Sequence, residues 1–121
     1  MRLMTIRLEL ARDPEYPEGS AHHGYEFVAP LGGDAHIDAE AWKACRRDCR
    51  VRRFWADEDD EIGHLRHRRG GGWAFHYDVS GDPEADESGF KFDSHAFKEG
   101  EYVSIYEQDG KLRTFKVVSV R

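Results

Sequence analysis

The end of the sequence constrains the fold most, because it reads as two strands joined by a short turn. Alternating residues run from Glu101 to Glu107 and again from Lys111 to Val120. Between them stands Gln108-Asp109-Gly110, a group of residues typical of hairpin turns. A hairpin of this length needs further strands to cover its apolar face, so the whole chain is expected to be rich in β-structure.

Two registers compete for this hairpin, and a slip of one residue would turn every side chain to the other face. A loop of Asp109-Gly110 alone would mix charged residues into both faces. A loop of Gln108-Asp109-Gly110, with a type I turn and Gly110 in the left-handed conformation, places Glu107 opposite Lys111. This register gathers Val103, Ile105, Phe115 and Val117 on one face, with Val103 opposite Phe115, and pairs Ser104 with Thr114 and Tyr102 with Lys116 on the other. We therefore predict the longer loop.

The rest of the sequence shows the period of two that marks half-buried strands, interrupted by turn-forming residues. Further strands are predicted at residues 4–10, 25–29, 50–55, 62–68, 73–78 and 90–92. Pro30 is expected to end the second of these strands. The polar stretches at residues 13–23 and 80–89 are predicted to be surface loops. Asp38 is the expected N-cap of one short helix near residues 38–46.

Together these elements predict a mainly β protein. About eight strands, joined mainly by hairpins with one helix inserted, favour an antiparallel meander that closes into a barrel or a tightly rolled sheet. A β-sandwich is the alternative. With 121 residues, the chain has the usual size of one domain, and we expect residues 1–121 to form a single barrel-like unit. Its 7 Phe, 5 Tyr and 3 Trp supply the bulk for a core.

The sequence predicts a cytoplasmic protein. Its apolar runs are far shorter than the roughly 20 residues that a membrane helix needs. The first residues lead directly into an alternating strand and do not resemble a secretory signal. Cys45 and Cys49 are too close in sequence to staple a domain, so we expect free thiols in a reducing compartment.

Charge is distributed unevenly along the chain, whose net charge is -6. Six Lys or Arg residues and a single acid, Asp48, lie between Lys43 and Arg53, whereas residues 57–61 are five consecutive acids. We expect the acidic segment to lie against the basic strand and neutralise it. The negative total argues against nucleic acid as a partner.

A ligand site is predicted among the arginine and aromatic strands between residues 50 and 77. Arginine forks bind carboxylates and phosphates, and aromatic rings in a wide barrel can line a pocket. The predicted ligand-binding residues are Arg50, Arg52, Arg53, Arg66, His67, Trp73 and Tyr77. An anionic or other small ligand is the first interpretation. Single-stranded nucleic acid stacked on the basic strand of residues 50–55 is an alternative.

A structural zinc site is the other alternative, because Cys45, Cys49, His64 and His67 offer zinc's preferred donor atoms. However, two residues separate the histidines, where zinc fingers use about three to five. On a strand, this spacing points the two rings to opposite faces. We therefore predict no metal and no cofactor. No catalytic residue is predicted either, since no nucleophile accompanies the His76 and Asp78 pair.

Three segments, from Cys49 to Trp55, from Gly100 to Ile105 and from Thr114 to Val120, resemble a small bacterial protein family of unassigned function. The resemblance covers about the last two thirds of the chain. It implies a compact bacterial cytoplasmic protein and brings no catalytic or binding residues with it. The sequence thus favours a non-enzymatic binding or protein-interaction module whose partner is a small molecule or a protein, with no membrane association. The oligomeric state is not predicted.

Overall fold

The computed structural model describes residues 2–78 and 86–121, and most of these residues lie in strands. The elements in chain order are β1 (Arg2–Leu10), β2 (Ser20–Leu31), α1 (Ala39–Cys45), β3 (Arg50–Trp55), β4 (Glu61–His67), β5 (Trp73–Tyr77), β6 (Glu87–Phe90), β7 (Tyr102–Tyr106) and β8 (Leu112–Val120). A single 3₁₀ turn, Arg46–Asp48, follows α1 directly. The mainly β fold with one short helix is therefore confirmed.

The strands form a closed antiparallel barrel in which each strand pairs with the next one along the chain. Pairing of β8 with β1, for example Leu8 opposite Val117, closes the sheet on itself. Over the described residues the order is an uninterrupted β1 to β8 meander, so the barrel prediction is correct and the sandwich alternative is wrong. Closure satisfies the hydrogen-bonding edges that an open sheet would leave exposed.

The terminal hairpin adopts the predicted register. Val103 lies opposite Phe115 and Ser104 opposite Thr114. The backbone N–H of Glu107 donates to the carbonyl of Lys111 at 2.9 Å, and Gly110 has a φ of 80°. This left-handed conformation is the one that glycine adopts without steric cost. Local turn chemistry and side-chain alternation were therefore sufficient to place this part of the sheet.

Strand β2 is longer at both ends than the sequence predicted. It begins at Ser20, inside the expected loop, and continues through Pro30 to Leu31. Pro30 is tolerated because β2 pairs with β3 only between His23 and Phe27, and beyond that range the described hydrogen bond from Asp38 uses the carbonyl of Pro30, at 2.9 Å. Without an N–H group, proline fits a strand where one side needs no ladder hydrogen bond.

Strand β6 corrects two predictions. It runs from Glu87 to Phe90, whereas residues 86–89 were expected in a surface loop and a strand was expected at residues 90–92. Residues 80–85 of that loop lie outside the described residues. The chain turns after Phe90, and the buried ring of Phe92 folds back over Gly89, where an added Cβ would stand only 2.3 Å from the ring. Gly89 is thus needed to admit the ring.

The helix covers one end of the barrel, which we call the helix end. Asp38 caps α1 as predicted, since its carboxylate accepts a hydrogen bond of 3.1 Å from the N–H of Ala41. The buried Trp42 donates from its indole Nε1 to the carbonyl of Leu65 at 3.1 Å and packs edge-on against Trp73. Neither α1 nor any other described helical segment is long and apolar enough to cross a membrane.

Candidate functional site

Charged side chains occupy the interior of the barrel at the end opposite the helix. Side-chain alternation along the strands turns Arg53 of β3 and Glu87 of β6 inward, together with Glu107 after β7 and Arg113 of β8. Glu87 is fully buried, and Glu107 and Arg113 are 6% and 5% exposed. We call these four residues, with Tyr25 and Tyr77, the charged cluster. Buried charges of this kind require partners within the fold.

Hydrogen bonds connect the two tyrosines with the two glutamates. The hydroxyl of Tyr77 donates to Glu87 Oε1 at 2.6 Å. The hydroxyl oxygen of Tyr25 lies 2.9 Å from the same Glu87 oxygen and is also in hydrogen-bond contact with Glu107 Oε2. Glu87 Oε2 accepts a hydrogen bond of 3.1 Å from the backbone N–H of Gln108. The four side chains therefore form one continuous chain of oxygen contacts across the barrel.

Two arginines flank this chain. Arg53 Nη2 lies 3.4 Å from Glu107 Oε2, and Arg53 Nε lies 3.7 Å from Glu87 Oε2. Arg113 Nε is 2.8 Å from Glu107 Oε1, an ion pair whose N–H is not aligned as a hydrogen bond. The Arg53 guanidinium also stacks over Trp55 at 4.2 Å from the ring centre. In the part of the chain that the structure describes, Glu107 thus faces two close cations, whereas Glu87 faces a single, more distant one.

A loop of β1–β2 closes this end of the barrel over Arg113. The guanidinium of Arg113 contacts Asp13 at 3.2 Å and Glu15 at 3.1 Å. On the other side it meets Asp109 of the β7–β8 turn at 3.4 Å. Lys111 reinforces the same contact by pairing with Glu15 at 2.8 Å. The charged cluster is therefore sealed by ion pairs from both neighbouring loops.

Burial dominates the electrostatics of the cluster. Loss of hydration raises the pKa of Glu87 to about 7, since the hydrogen bond from Tyr77 opposes this effect only partly and the charge of Glu107 adds to it. Burial likewise raises the pKa of Glu107, although the hydrogen bond from Tyr25 and the charge of Arg53 limit the rise. The pKa of the Tyr25 hydroxyl is also raised well above its usual value, mainly by burial.

The outer face of β3, β4 and β5 carries a second set of polar groups. Arg50, His64 and His76 lie side by side across the three strands, with the two histidine rings 5.4 Å apart. Asp78 pairs with Arg50 at 2.7 Å and with His64 at 3.2 Å. The hydrogen bond from Arg50, the larger cause, and the one from His64 lower the pKa of Asp78. His76 pairs with Asp86 at 2.6 Å.

Beside this face lies a surface pocket of about 380 Å³ lined by Arg46, Arg47, Arg50 and His64. We call it the arginine pocket. The 3₁₀ turn after α1 presents Arg46 and Arg47, both exposed. Arg46 stacks over Trp42 at 5.9 Å from the ring centre. Within residues 2–78 and 86–121, neither Arg46 nor Arg47 forms an ion pair, so both guanidinium groups face solvent with their charge uncompensated.

The acidic segment lies against the basic strand, as the charge pattern predicted. Asp60 pairs with Arg52 at 3.0 Å, and Glu61 lies 3.6 Å from Arg53. Glu26 of β2 reaches Arg52 from the other side at 3.9 Å. The charge of β3 itself is therefore largely neutralised, in contrast to that of the turn before it.

The predicted ligand-binding residues are divided among three places. Arg50, Arg52 and Arg66 lie on the outer face, Arg53 and Tyr77 belong to the charged cluster, and His67 and Trp73 pack together at the helix end. Only Arg50 of these lines the arginine pocket. Trp73 and Tyr77 are buried, and the pockets found over the described residues are open and bordered by neither of them. The structure thus does not gather the seven residues into one site.

The cysteines and histidines do not form a metal centre in the described chain. Cys45 and Cys49 are free thiols whose sulfur atoms lie 3.9 Å apart. Burial raises the pKa of the Cys49 thiol to about 12, with Cys45 adding to the effect. His64 points outward and pairs with Asp78, whereas His67 packs against Trp73 at 4.3 Å between ring centres. No group of three or more potential metal ligands is found among the described residues.

Sequence reasoning missed Glu87, Glu107, Arg113, Arg46 and Arg47 as candidate site residues. A signal for two of them was available, because the predicted hairpin register places Glu107 and Arg113 on the same face as Val103 and Phe115. Charged residues on an inward face indicate a buried ion pair or a functional cluster. For Glu87 the sequence offers no such signal, since its polar neighbours resemble a loop.

The fold and these two sites define a small, closed, eight-stranded β-barrel whose described interior is filled by aromatic rings and paired charges. Ring centres of Phe27, Phe75, Phe92 and Phe97 lie between 5.1 and 6.3 Å apart in the pairs that touch, which leaves the barrel axis occupied. Comparisons with protein-family models, with curated proteins and with solved structures find no match for this chain.

Proposed function

We propose that this chain is a non-enzymatic binding module of a bacterial cytoplasm that holds an anionic group in the arginine pocket. The observation that carries the proposal is the exposed pair Arg46 and Arg47, whose charges no described carboxylate compensates, beside Arg50 and His64. Guanidinium groups bind phosphate and carboxylate groups through paired, charge-assisted hydrogen bonds. The two free thiols agree with a reducing compartment.

Charge compensation elsewhere supports this location. Arg52, Arg53 and Arg66 each have an acidic partner within 4 Å, at Asp60, Glu107 and Asp86 respectively. An incoming anion would have to displace those carboxylates, whereas Arg46 and Arg47 offer their charge without that cost. A small phosphate- or carboxylate-bearing ligand, or an acidic side chain of a partner protein, fits a pocket of about 380 Å³.

The test is a titration of the isotope-labelled protein with inorganic phosphate and with citrate, followed by amide NMR shifts. We expect saturable shifts that centre on residues 46–50 and 64 and weaken with added salt. The double variant Arg46→Gln/Arg47→Gln should weaken binding about tenfold or more, because each charged hydrogen bond contributes about 1.5–3 kcal/mol.

The matched control is Arg68→Gln/Arg69→Gln, which removes the same charge from an exposed pair outside the pocket. Binding that survives the control and is lost in the pocket variant supports the proposal. An equal loss of anion binding in both variants would show that the anions are attracted by the net charge alone. The absence of saturable shifts with both anions would overturn the proposal. A labelled single-stranded oligonucleotide tests the nucleic-acid alternative in the same two variants.

A further inference from the structure

A second inference concerns the charged cluster and is independent of the arginine pocket. The cluster contains three oxygen-to-oxygen contacts: Tyr77 with Glu87, Glu87 with Tyr25, and Tyr25 with Glu107. Each hydrogen bond needs one hydrogen between its two oxygens. The two tyrosine hydroxyls supply two hydrogens, and ionised carboxylates supply none. The third contact therefore requires a proton carried by a carboxyl group.

The positions of the neighbouring cations and hydrogen-bond donors determine which of the two carboxyl groups carries the proton. Glu107 has Arg113 at 2.8 Å and Arg53 at 3.4 Å, which favour its ionised form. Among the described residues, the one cation that pairs with the fully buried Glu87 is Arg53, at 3.7 Å. The N–H of Gln108 occupies Glu87 Oε2, so that oxygen acts as an acceptor. The proton is thus left on Glu87 Oε1, which faces Tyr25.

We propose that the barrel binds one proton at Glu87 Oε1, as part of a directed relay in which Tyr77 donates to Glu87, Glu87 donates to Tyr25, and Tyr25 donates to Glu107. In this arrangement every hydroxyl hydrogen points to an acceptor. Glu87 is a neutral carboxylic acid and Glu107 is the carboxylate that ends the relay. The site is a proton-binding site at a side chain that the fold buries fully.

All neighbouring elements contribute to the environment of this proton. The titratable and charged groups that face the cluster are Tyr25 and His23 from β2, Arg53 from β3, Glu61 from β4, Tyr77 from β5, Glu107 and Asp109 from the β7–β8 hairpin, Arg113 from β8, and Asp13 and Glu15 from the β1–β2 loop. Glu87 is also tied to the β7–β8 turn through the N–H of Gln108. Loss of the proton would remove the hydrogen from the contact between Glu87 and Tyr25 and leave a buried carboxylate whose described cation, Arg53, lies 3.7 Å away. The site thereby couples proton binding to the packing of the loops over this end of the barrel.

The test is infrared spectroscopy of the folded protein at pH 6, where an ordinary glutamate is ionised. We expect the carbonyl stretch of one buried carboxylic acid in the wild type, its loss in Glu87→Gln and its retention in Glu107→Gln. Gln at position 87 keeps an N–H that can donate to Tyr25, so this variant reproduces that contact of the protonated state, whereas its nitrogen cannot accept the hydrogen of Tyr77. Loss of the band in Glu107→Gln alone would assign the proton to the other glutamate and overturn the proposed direction.

A measurement on the wild type keeps the inference testable if either variant fails to fold. Site-resolved NMR titration of the glutamate side-chain carboxyl carbons should find Glu87 protonated at pH 6 and Glu107 ionised. Amide shifts of residues 107–111 should follow the Glu87 titration, because Gln108 is bonded to it. Finding both carboxyls ionised at pH 6 would overturn the proposal.

Discussion

The α-carbon of Gly24 lies so close to the carbonyl oxygen of Leu8 that a Cβ built on it would stand 2.0 Å from that oxygen. The ring of Phe54 approaches the same position at 3.0 Å. Backbone and ring thus close the space in which any side chain would have to sit, at the place where β1 and β2 pair.

Gly24→Ala is therefore expected to destabilise the barrel by about 1–3 kcal/mol, the usual cost of an overpacked core position. Urea denaturation measures the change. Gly33→Ala is the matched control, because nothing lies within 4 Å of a Cβ at that position. An equal loss in both variants would show that crowding at position 24 does not decide the cost.

Stability should fall as the pH rises from about 4.5 to about 7, because the pKa of Glu87 is raised from its ordinary value to about 7. In that range the folded protein keeps a proton that the unfolded chain has released, so a further rise in pH favours unfolding. The full effect is on the order of 3 kcal/mol. Burial lowers the pKa of His23, which acts in the opposite direction as the pH falls below 6.5.

Comparison of the wild type with Glu87→Gln separates the contribution of Glu87 from that of His23 and from that of Glu107, whose raised pKa also lowers stability as the pH rises. Free energies of unfolding from urea denaturation at several pH values should decline more steeply in the wild type than in the variant. A parallel decline in both proteins would show that another group is responsible.

Arg113→Met should cost roughly 3 kcal/mol, because it removes the nearer cation of a buried carboxylate and leaves Arg53, at 3.4 Å, to compensate the charge. The partner here is Glu107, which is nearly fully buried. Lys111→Met removes a charge of the same sign from the surface, where Lys111 pairs with Glu15, an acid that Arg113 also contacts, and we expect a much smaller loss of stability. Thermal unfolding of the two variants side by side tests the contrast, and similar melting temperatures would contradict it.

Asp38→Ala should cost about 1 kcal/mol, since the N-cap carboxylate satisfies an N–H group at the start of α1. Asp38→Asn should retain most of the stability because asparagine caps helices about as well. The comparison is made by urea denaturation. If the asparagine variant were as unstable as the alanine variant, the charge of Asp38, and not its hydrogen bond, would be the stabilising feature.

The elements that could be predicted from the sequence are those that depend on residues close together along the chain. The hairpin at Gly110 and the cap at Asp38 follow from turn chemistry and alternation within a few positions. Strand β6 could not be predicted, because the burial of Glu87 depends on Tyr25 and Tyr77, which other strands contribute.

The candidate site likewise combines features that the sequence predicts with features that depend on contacts between distant parts of the chain. The segment 50–55 suggested a single basic surface, but alternation turns Arg53 into the barrel and leaves Arg52 outside against Asp60. That separation was readable from the period of two. That Arg46 and Arg47 have no acidic partner among the described residues could not be predicted from the sequence, because it depends on which acids the fold brings to the neighbouring arginines.

The pairing of β1 with β8 joins the two ends of the sequence, whereas the other strand pairings of the described barrel join consecutive strands. Hairpins between consecutive strands form early because they lose little chain entropy, whereas the contact between β1 and β8 closes the longest loop of the molecule. We expect it to form last during folding. Until then β1 and β8 both present unpaired edges, so the risk of aggregation belongs to the folding chain and disappears when the barrel closes.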